Sequence, residues 1–274
     1  MGPRKALGAR DPGGNHPPRT GGPTACVRVA LLAGLILGCA GGRAATSPDR
    51  SDDSPPPRAE APSADVPPSP YRKVAVPEDA PSSGPKHAKV TIVVWSDFEC
   101  YYCSYVNSTL AQLKEKYGED VRVVFRHLPM LFHPNAKLAA EASLAAHEQG
   151  RFWEYHDQLF AHQRALDRTS LERYAQELKL DMGRFRAALD SGKFRSRVEA
   201  DMAEGEAVGV LGTPTFFING YMLSGAQPFD SFGEVIDAEL ARADQALRGG
   251  VKRENLYHHL IENLPAPTAK RPGW

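Results

Sequence analysis

The stretch Val90-Thr-Ile-Val-Val-Trp95-Ser-Asp-Phe-Glu-Cys100-Tyr-Tyr-Cys103 decides how the chain is read. Val90 to Trp95 is a β-branched, apolar run, too short for a helix, and reads as a buried strand. Ser96 to Glu99 end it. From Cys103 onward, Val106, Leu110, Leu113 and Tyr117 recur at three- or four-residue spacing, the stripe of an amphipathic helix, and Gly118 stops it. Val121 to Phe125 read as a second strand. Strand, Cys-x-x-Cys, helix and strand, joined by short loops, describe a βαβ unit with a parallel sheet.

The chain has four cysteines, Cys26, Cys39, Cys100 and Cys103, and the first two lie in an N-terminal leader. The folded part therefore holds only the pair, which is not the staple pattern of a small disulfide-rich fold. At a strand-to-helix junction, this spacing brings two sulfurs within bonding reach. The first sits at the helix N-terminus, where unpaired backbone N–H groups stabilise a thiolate. The second lies one turn on, more buried, and resolves a mixed disulfide. Cys100 is thus assigned as nucleophile and Cys103 as resolving residue. The alternatives are half of a zinc site and a static structural disulfide. Zinc needs two further ligands. No second Cys pair exists, and although His127 and His133 are present, His147 and His156 have no useful ligand spacing. No metal or organic cofactor is expected.

Beyond the second strand, Pro134 and the alanine-rich run 139–146 open a helical block. Phe152, Tyr155, Leu159 and Phe160 form another apolar stripe. Ser170 and Asp181 are the expected caps of two further helices, and 192–208 reads as a polar helix. Thr215 to Ile218 and Tyr221 to Leu223 are strands joined by Asn219-Gly220, a strong hairpin signal. A last helix carries Phe229, Phe232, Val235, Ile236 and Leu240. The expected architecture is α/β, a mixed sheet with helices on both faces. Trp95, Phe125, Phe216 and Phe217 are expected in the core, and Arg126 and His127 either at the rim of the site or as polar strand-end residues.

The 33 basic and 33 acidic residues balance, which argues against a nucleic-acid partner. Val29 to Leu37 is an apolar run after Arg28, far shorter than the ~20 residues of a membrane span. It fits the h-region of a signal peptide. Ile36-Leu37-Gly38-Cys39 resembles a lipobox, which makes Cys39 the lipidated residue and predicts a membrane-anchored protein of the cell envelope or periplasm, secreted if the box is not used. The plain alternative is a signal peptide cut near Ala40 or after Ala45. The long n-region, with Pro17-Pro18, is better explained if translation starts near residue 27, at Val27. Residues 41–85, rich in Pro, Ser, Ala and Asp, read as a disordered tether. Within them, Tyr71 to Val76 is either a short edge strand or more tether. The domain is expected over 86–265, with a helical insertion at about 134–200.

Val94-Trp-Ser-Asp-Phe-Glu-Cys-Tyr-Tyr-Cys103 resembles the active-site segment of the DsbA-like branch of the thioredoxin superfamily. Phe125-Arg-His-Leu-Pro129, His133-Pro-Asn-Ala136, the segment from Gln149 to Phe160, and Gly209-Val-Leu-Gly-Thr-Pro-Thr-Phe-Phe-Ile-Asn-Gly220 are similar to that branch in the same order. The likeness covers about residues 86–243. It implies a thioredoxin fold with an inserted helical domain. It also implies a cis Thr213–Pro214 bond facing the redox pair, with Thr213 touching the active site. Members often carry Pro after the first Cys; here Tyr101 and Tyr102 stand between the cysteines, which leaves the redox potential open. Asp97 and Glu99 are expected either to shuttle a proton to or from Cys103 or to cap the helix. The implied function is extracytoplasmic thiol–disulfide exchange, in the direction of disulfide formation in exported proteins, with protein thiols as substrates and a recycling redox partner. A reductase or isomerase, and a redox-inert or redox-sensing module, are the rival readings.

Overall fold

The computed structural model describes residues 69–266. The leader with Cys26 and Cys39, the tether up to residue 68 and the tail from residue 267 lie outside the described residues.

Strand β2 (Val90–Ser96) is buried along its whole length because it has a strand on each side and a packed layer on each face. β1 (Ser82–Ser83), β3 (Val121–His127), β4 (Thr215–Ile218) and β5 (Tyr221–Ser224) complete a sheet in the order β1-β3-β2-β4-β5. β2 and β3 run parallel, in register from Val90↔Val121 to Ser96↔His127. Helix α1 (Tyr101–Tyr117) joins them, and Gly118 ends it at φ 51°, where a side chain would be strained. β4 and β5 are antiparallel. They turn at Asn219 and Gly220, with φ 45° and 92°, the positive pair that a two-residue hairpin demands. Asn219 is more than a turn residue: buried, it accepts from Thr91 N–H at 2.9 Å and donates to Lys89 O at 3.0 Å, locking the hairpin to the central strand.

Between β3 and β4 comes the helical insertion: α2 (Ala136–His147), α3 (Phe152–Ala161), α4 (Arg168–Glu177), α5 (Met182–Asp190) and α6 (Arg195–Ala207). It reaches seven residues further than the expected end at 200. The cap of α4 is Asp167, not Ser170, because its carboxylate accepts the N–H groups of both Thr169 and Ser170. Asp181 caps α5 as expected. After β5 come α7 (Phe229–Arg248) and α8 (Leu256–Glu262), the latter not foreseen.

One face of the sheet packs Ile92, Val94, Phe125 and Phe216 against α1, α7 and the insertion. The other packs Val93, Trp95, Val124 and Phe217 with Val74, Ala80 and Val210. Each such side chain contributes roughly 1.5–3 kcal/mol by leaving water. On this second face, Trp95 Nε1 donates to Asp201 O at 2.8 Å, and Gly205 of α6 lies against the indole.

The tether was expected to run to residue 85, but packed structure starts earlier. Tyr71 bridges Tyr221, Arg72 N–H donates to Gly220 O and Met222 N–H to Pro70 O, both at 2.8 Å. Val74 is fully buried. The reason is that β5 is an edge strand with open backbone groups, and Val74 and Val76 fill the apolar layer beside it. Of the two readings of 71–76, the structure gives a bridge, not a strand. Arg126 is not at the rim: it is buried on the second face, bonded to Asp201 at 2.8 Å and to Glu204. Among the described residues, no helix is long and apolar enough to cross a membrane.

Candidate active site

Cys100 occupies the N-cap position of α1 in an extended conformation, and no side chain caps the helix there. Its carbonyl accepts the N–H of Cys103 at 3.1 Å and of Ser104 at 3.3 Å, which starts the helix. Both cysteines are in the free thiol form. Cys100 keeps 8 % of its surface exposed and Cys103 none. A hydrogen bond from Cys103, helped by the Thr213 side chain and the N–H groups of Cys103 and Tyr102, outweighs burial and holds the Cys100 thiol down at about 5. Burial, and then the hydrogen bond to Cys100 and its charge, push Cys103 far above the usual thiol range; Ser96 opposes them weakly.

The Thr213–Pro214 bond is cis, and it brings Thr213 O to 3.5 Å from Cys100 Sγ. Tyr101 and Tyr102 are largely exposed beside the pair, their rings edge to face at 5.6 Å.

Neither Asp97 nor Glu99 caps α1 with its side chain. Asp97 is buried, and its two oxygens accept from Glu99 N–H and Met130 N–H, both at 2.7 Å, with His133 Nδ1 at 2.8 Å. Glu99 accepts from Asn135 N–H at 2.8 Å and from its side-chain amide at 3.0 Å, at the start of α2. Their carboxylates tie the loop 130–135 to the redox turn. His127 is completely buried among Phe98, Phe125 and Phe152, and neither ring nitrogen has a hydrogen-bond partner. Burial first, then the positive charge of Arg197 and Arg126, depress it to about 3, so it is neutral.

Sequence reasoning missed Gln163. Its side-chain Nε2 donates to Phe98 O at 2.8 Å and to Cys100 O at 2.9 Å from the turn after α3. A polar residue in a polar loop, more than sixty positions away, carries no local signal of this. Among the described residues, no three His, Cys, Asp or Glu side chains converge as metal ligands.

The family model described as Thioredoxin matches residues 78–238. The chain belongs to the thioredoxin family. A solved thioredoxin-like oxidoreductase from Silicibacter pomeroyi DSS-3 superposes with a TM-score of 0.55 and 26% identity, over 59% of this chain and 92% of that one. Alpha-DsbA1 of Wolbachia pipientis shares the fold, with a TM-score of 0.57 and 22% identity over 64% of this chain and 96% of that one. The Na(+)/H(+) antiporter NhaA of Herminiimonas arsenicoxydans is 44% identical over 155 residues, 57% of this chain but 25% of its own length. The chain thus spans about a quarter of the length of the curated relatives it matches. The sheet, the helical insertion and the Cys100/Cys103 pair at the start of α1 give the chain the architecture that it shares with the Silicibacter protein.

Proposed function

We propose that this enzyme forms disulfide bonds in exported proteins outside the cytoplasm, with Cys100 as nucleophile and Cys103 as resolving residue. The observation that carries it is the split between the two sulfurs: Cys100, at the helix start with a sliver of its surface exposed, is acidic, and Cys103, fully buried, is far less so. In the oxidised enzyme, a client thiolate attacks Cys100 Sγ. The Cys100–Cys103 bond breaks, Cys103 leaves and takes a proton, and a mixed disulfide with Cys100 forms. A second client thiolate attacks the client sulfur of that bond and expels Cys100. The lowered pKa of Cys100 makes it a good leaving group. Two electrons have then passed from client to enzyme, and a recycling partner must remove them.

The clients are polypeptides with accessible thiols. The exposed large apolar side chains of the domain are Tyr101, Tyr102, Tyr105, Leu131, Phe132 and Leu211. They belong to the start of α1, to the loop held by Asp97, and to the segment before Thr213, the three segments that adjoin the redox turn. An unfolded chain offers the apolar surface that such a rim takes up. Thr213 and Pro214 would hold the client backbone beside the sulfur.

Anchoring through lipid on Cys39 is part of the proposal, supported by the Ile36-Leu37-Gly38-Cys39 motif. The Herminiimonas relative, named for a membrane antiporter, supports a membrane-side setting; antiport is not carried over to this chain. A Cys39→Ala chain should move from the membrane to the soluble fraction.

The deciding experiment is the equilibrium reduction potential of the pair against glutathione, read by thiol trapping. A value near roughly −120 mV supports disulfide formation, and one near about −250 mV or below overturns it in favour of a reductase.

A further inference from the structure

The redox turn is held from two directions. Asp97 and Glu99 hold it to the loop after β3, and Gln163 holds it from the far side of the insertion. The carbonyls that Gln163 binds, Phe98 O and Cys100 O, flank the turn that delivers Cys100 to α1. Cys100 O already accepts the two N–H groups that start the helix, so Gln163 is its third donor. The platform beneath Gln163 is fixed. The His162 ring stacks on Tyr174 at 5.0 Å, Ala165 N–H donates to His162 O, Tyr174 hydroxyl donates to Ala165 O, and Leu166 is buried. Fixing a long side chain costs about as much entropy as two neutral hydrogen bonds return. The contact therefore adds little to stability. What it removes is freedom of the Phe98–Cys100 backbone.

We propose that Gln163 is a positioning residue of the thiol–disulfide reaction: it holds the Phe98 and Cys100 carbonyls so that Cys100 stays in its extended N-cap conformation, with the sulfur under the N–H groups of Tyr102 and Cys103. The proposal rests on the reading of Cys100 as nucleophile. The side-chain amide also makes the geometry of the redox turn depend on the insertion, which the sheet alone does not do. A sulfur a few tenths of an ångström out of line with those N–H groups loses part of their field, and its thiolate is less stabilised.

The test uses the full chain and three variants. Gln163→Met keeps length and volume and removes the donors. Gln163→Glu replaces them with an anion facing two carbonyl oxygens, close to the thiolate. Cys100→Ser reports on the underlying reading. Thiolate absorbance against pH, reduction potential and the rate of client oxidation are read, with thermal unfolding as the folding control. In Q163M the Cys100 midpoint should rise by ~0.5–1 pH unit and client oxidation fall several-fold, with unfolding unchanged; Q163E should shift further in the same direction. If C100S is inactive and folded Q163M titrates and turns over as the unmodified chain does, this inference fails and the reading of Cys100 stands. If C100S oxidises clients, the reading of Cys100 fails, and the inference with it. If Q163M does not fold, Q163E decides by the same readouts.

Discussion

Cys100 Sγ lies 3.5 Å from the carbonyl oxygen of Thr213, 113 residues further along the chain. A thiol can donate to that oxygen and a thiolate cannot, so this contact by itself favours the protonated form. The opposing donors, Cys103 Sγ, then the Thr213 side chain and the N–H groups of Cys103 and Tyr102, win. The site is thus set by competition between one acceptor and several donors gathered at a helix start.

The first prediction concerns that balance. An acid whose folded value is lowered is stabilised in its ionised form, and here the window runs from about 5 up to the ordinary thiol range near ~8.5. The stabilisation of the reduced fold is complete above the upper limit and is lost as pH falls through the lower. Absorbance of the reduced protein at ~240 nm should follow one step centred near pH 5, absent in C100S. At pH 7 the two decades between 5 and 7 favour the reduced pair by about 60 mV over a pair of ordinary thiols.

Removing the resolving sulfur should trap the intermediate. Cys103→Ala, reduced and mixed with a disulfide-bonded client, should accumulate a covalent adduct visible on a non-reducing gel. The unmodified protein should show little, because Cys103 lies at the adjacent helical turn and displaces the client. Absence of adduct with C103A would remove Cys100 from the nucleophile's role.

His127 predicts acid sensitivity. Its folded value, about 3, lies below the unfolded value of about 6.5, so below pH 6.5 the unfolded chain takes up a proton that the folded chain refuses. Stability is full above that pH and falls as pH drops toward 3. At pH 5 the contribution is about 2 kcal/mol. Denaturant midpoints at pH 7 and pH 5 should differ less in His127→Phe than in the unmodified protein; an equal slope would show that the ring titrates normally.

Gly205→Ala should destabilise the fold by about 1–3 kcal/mol. A Cβ there would meet Trp95 Nε1 at 2.8 Å, and the indole is fully buried, with its N–H committed to Asp201 O. The ring has no free space to yield. A chemical denaturation midpoint measures this directly.

Asp97→Asn replaces one acceptor oxygen with a donor. Glu99 N–H or Met130 N–H then faces an amide N–H, at a cost of about 1–3 kcal/mol. Because the loop so loosened presents Leu131 and Phe132, KM for peptide clients should rise more than kcat falls. A fall in kcat alone would instead place Asp97 in the chemistry of the sulfurs.

How far the sequence could be read depended on the range of each interaction. The strand 90–96, α1 and its Gly118 stop, and the Asn219-Gly220 turn follow from contacts within a few residues, and the structure has them. The insertion was visible as helices, α6 included, although that helix buries only Val198, Asp201 and Gly205. Arg126 does stand at the end of β3, one of its two expected readings, but its partners, Asp201 and Glu204, arrive from α6, 75 and 78 positions away.

The sequence by itself determined that two cysteines stand at a strand-to-helix junction, with the spacing that thiol–disulfide exchange needs. Helix starts and hydrophobic periods are local properties of the chain. Only the tertiary structure decided that the carboxylates of Asp97 and Glu99 bind the loop 130–135. It alone buried His127 as a neutral ring, and it alone brought Gln163 onto the carbonyl of Cys100. Those outcomes depend on how the helical insertion packs over the end of the sheet. No stretch of sequence encodes that separately, because a polar side chain takes whichever partner the packed backbone leaves within hydrogen-bond reach.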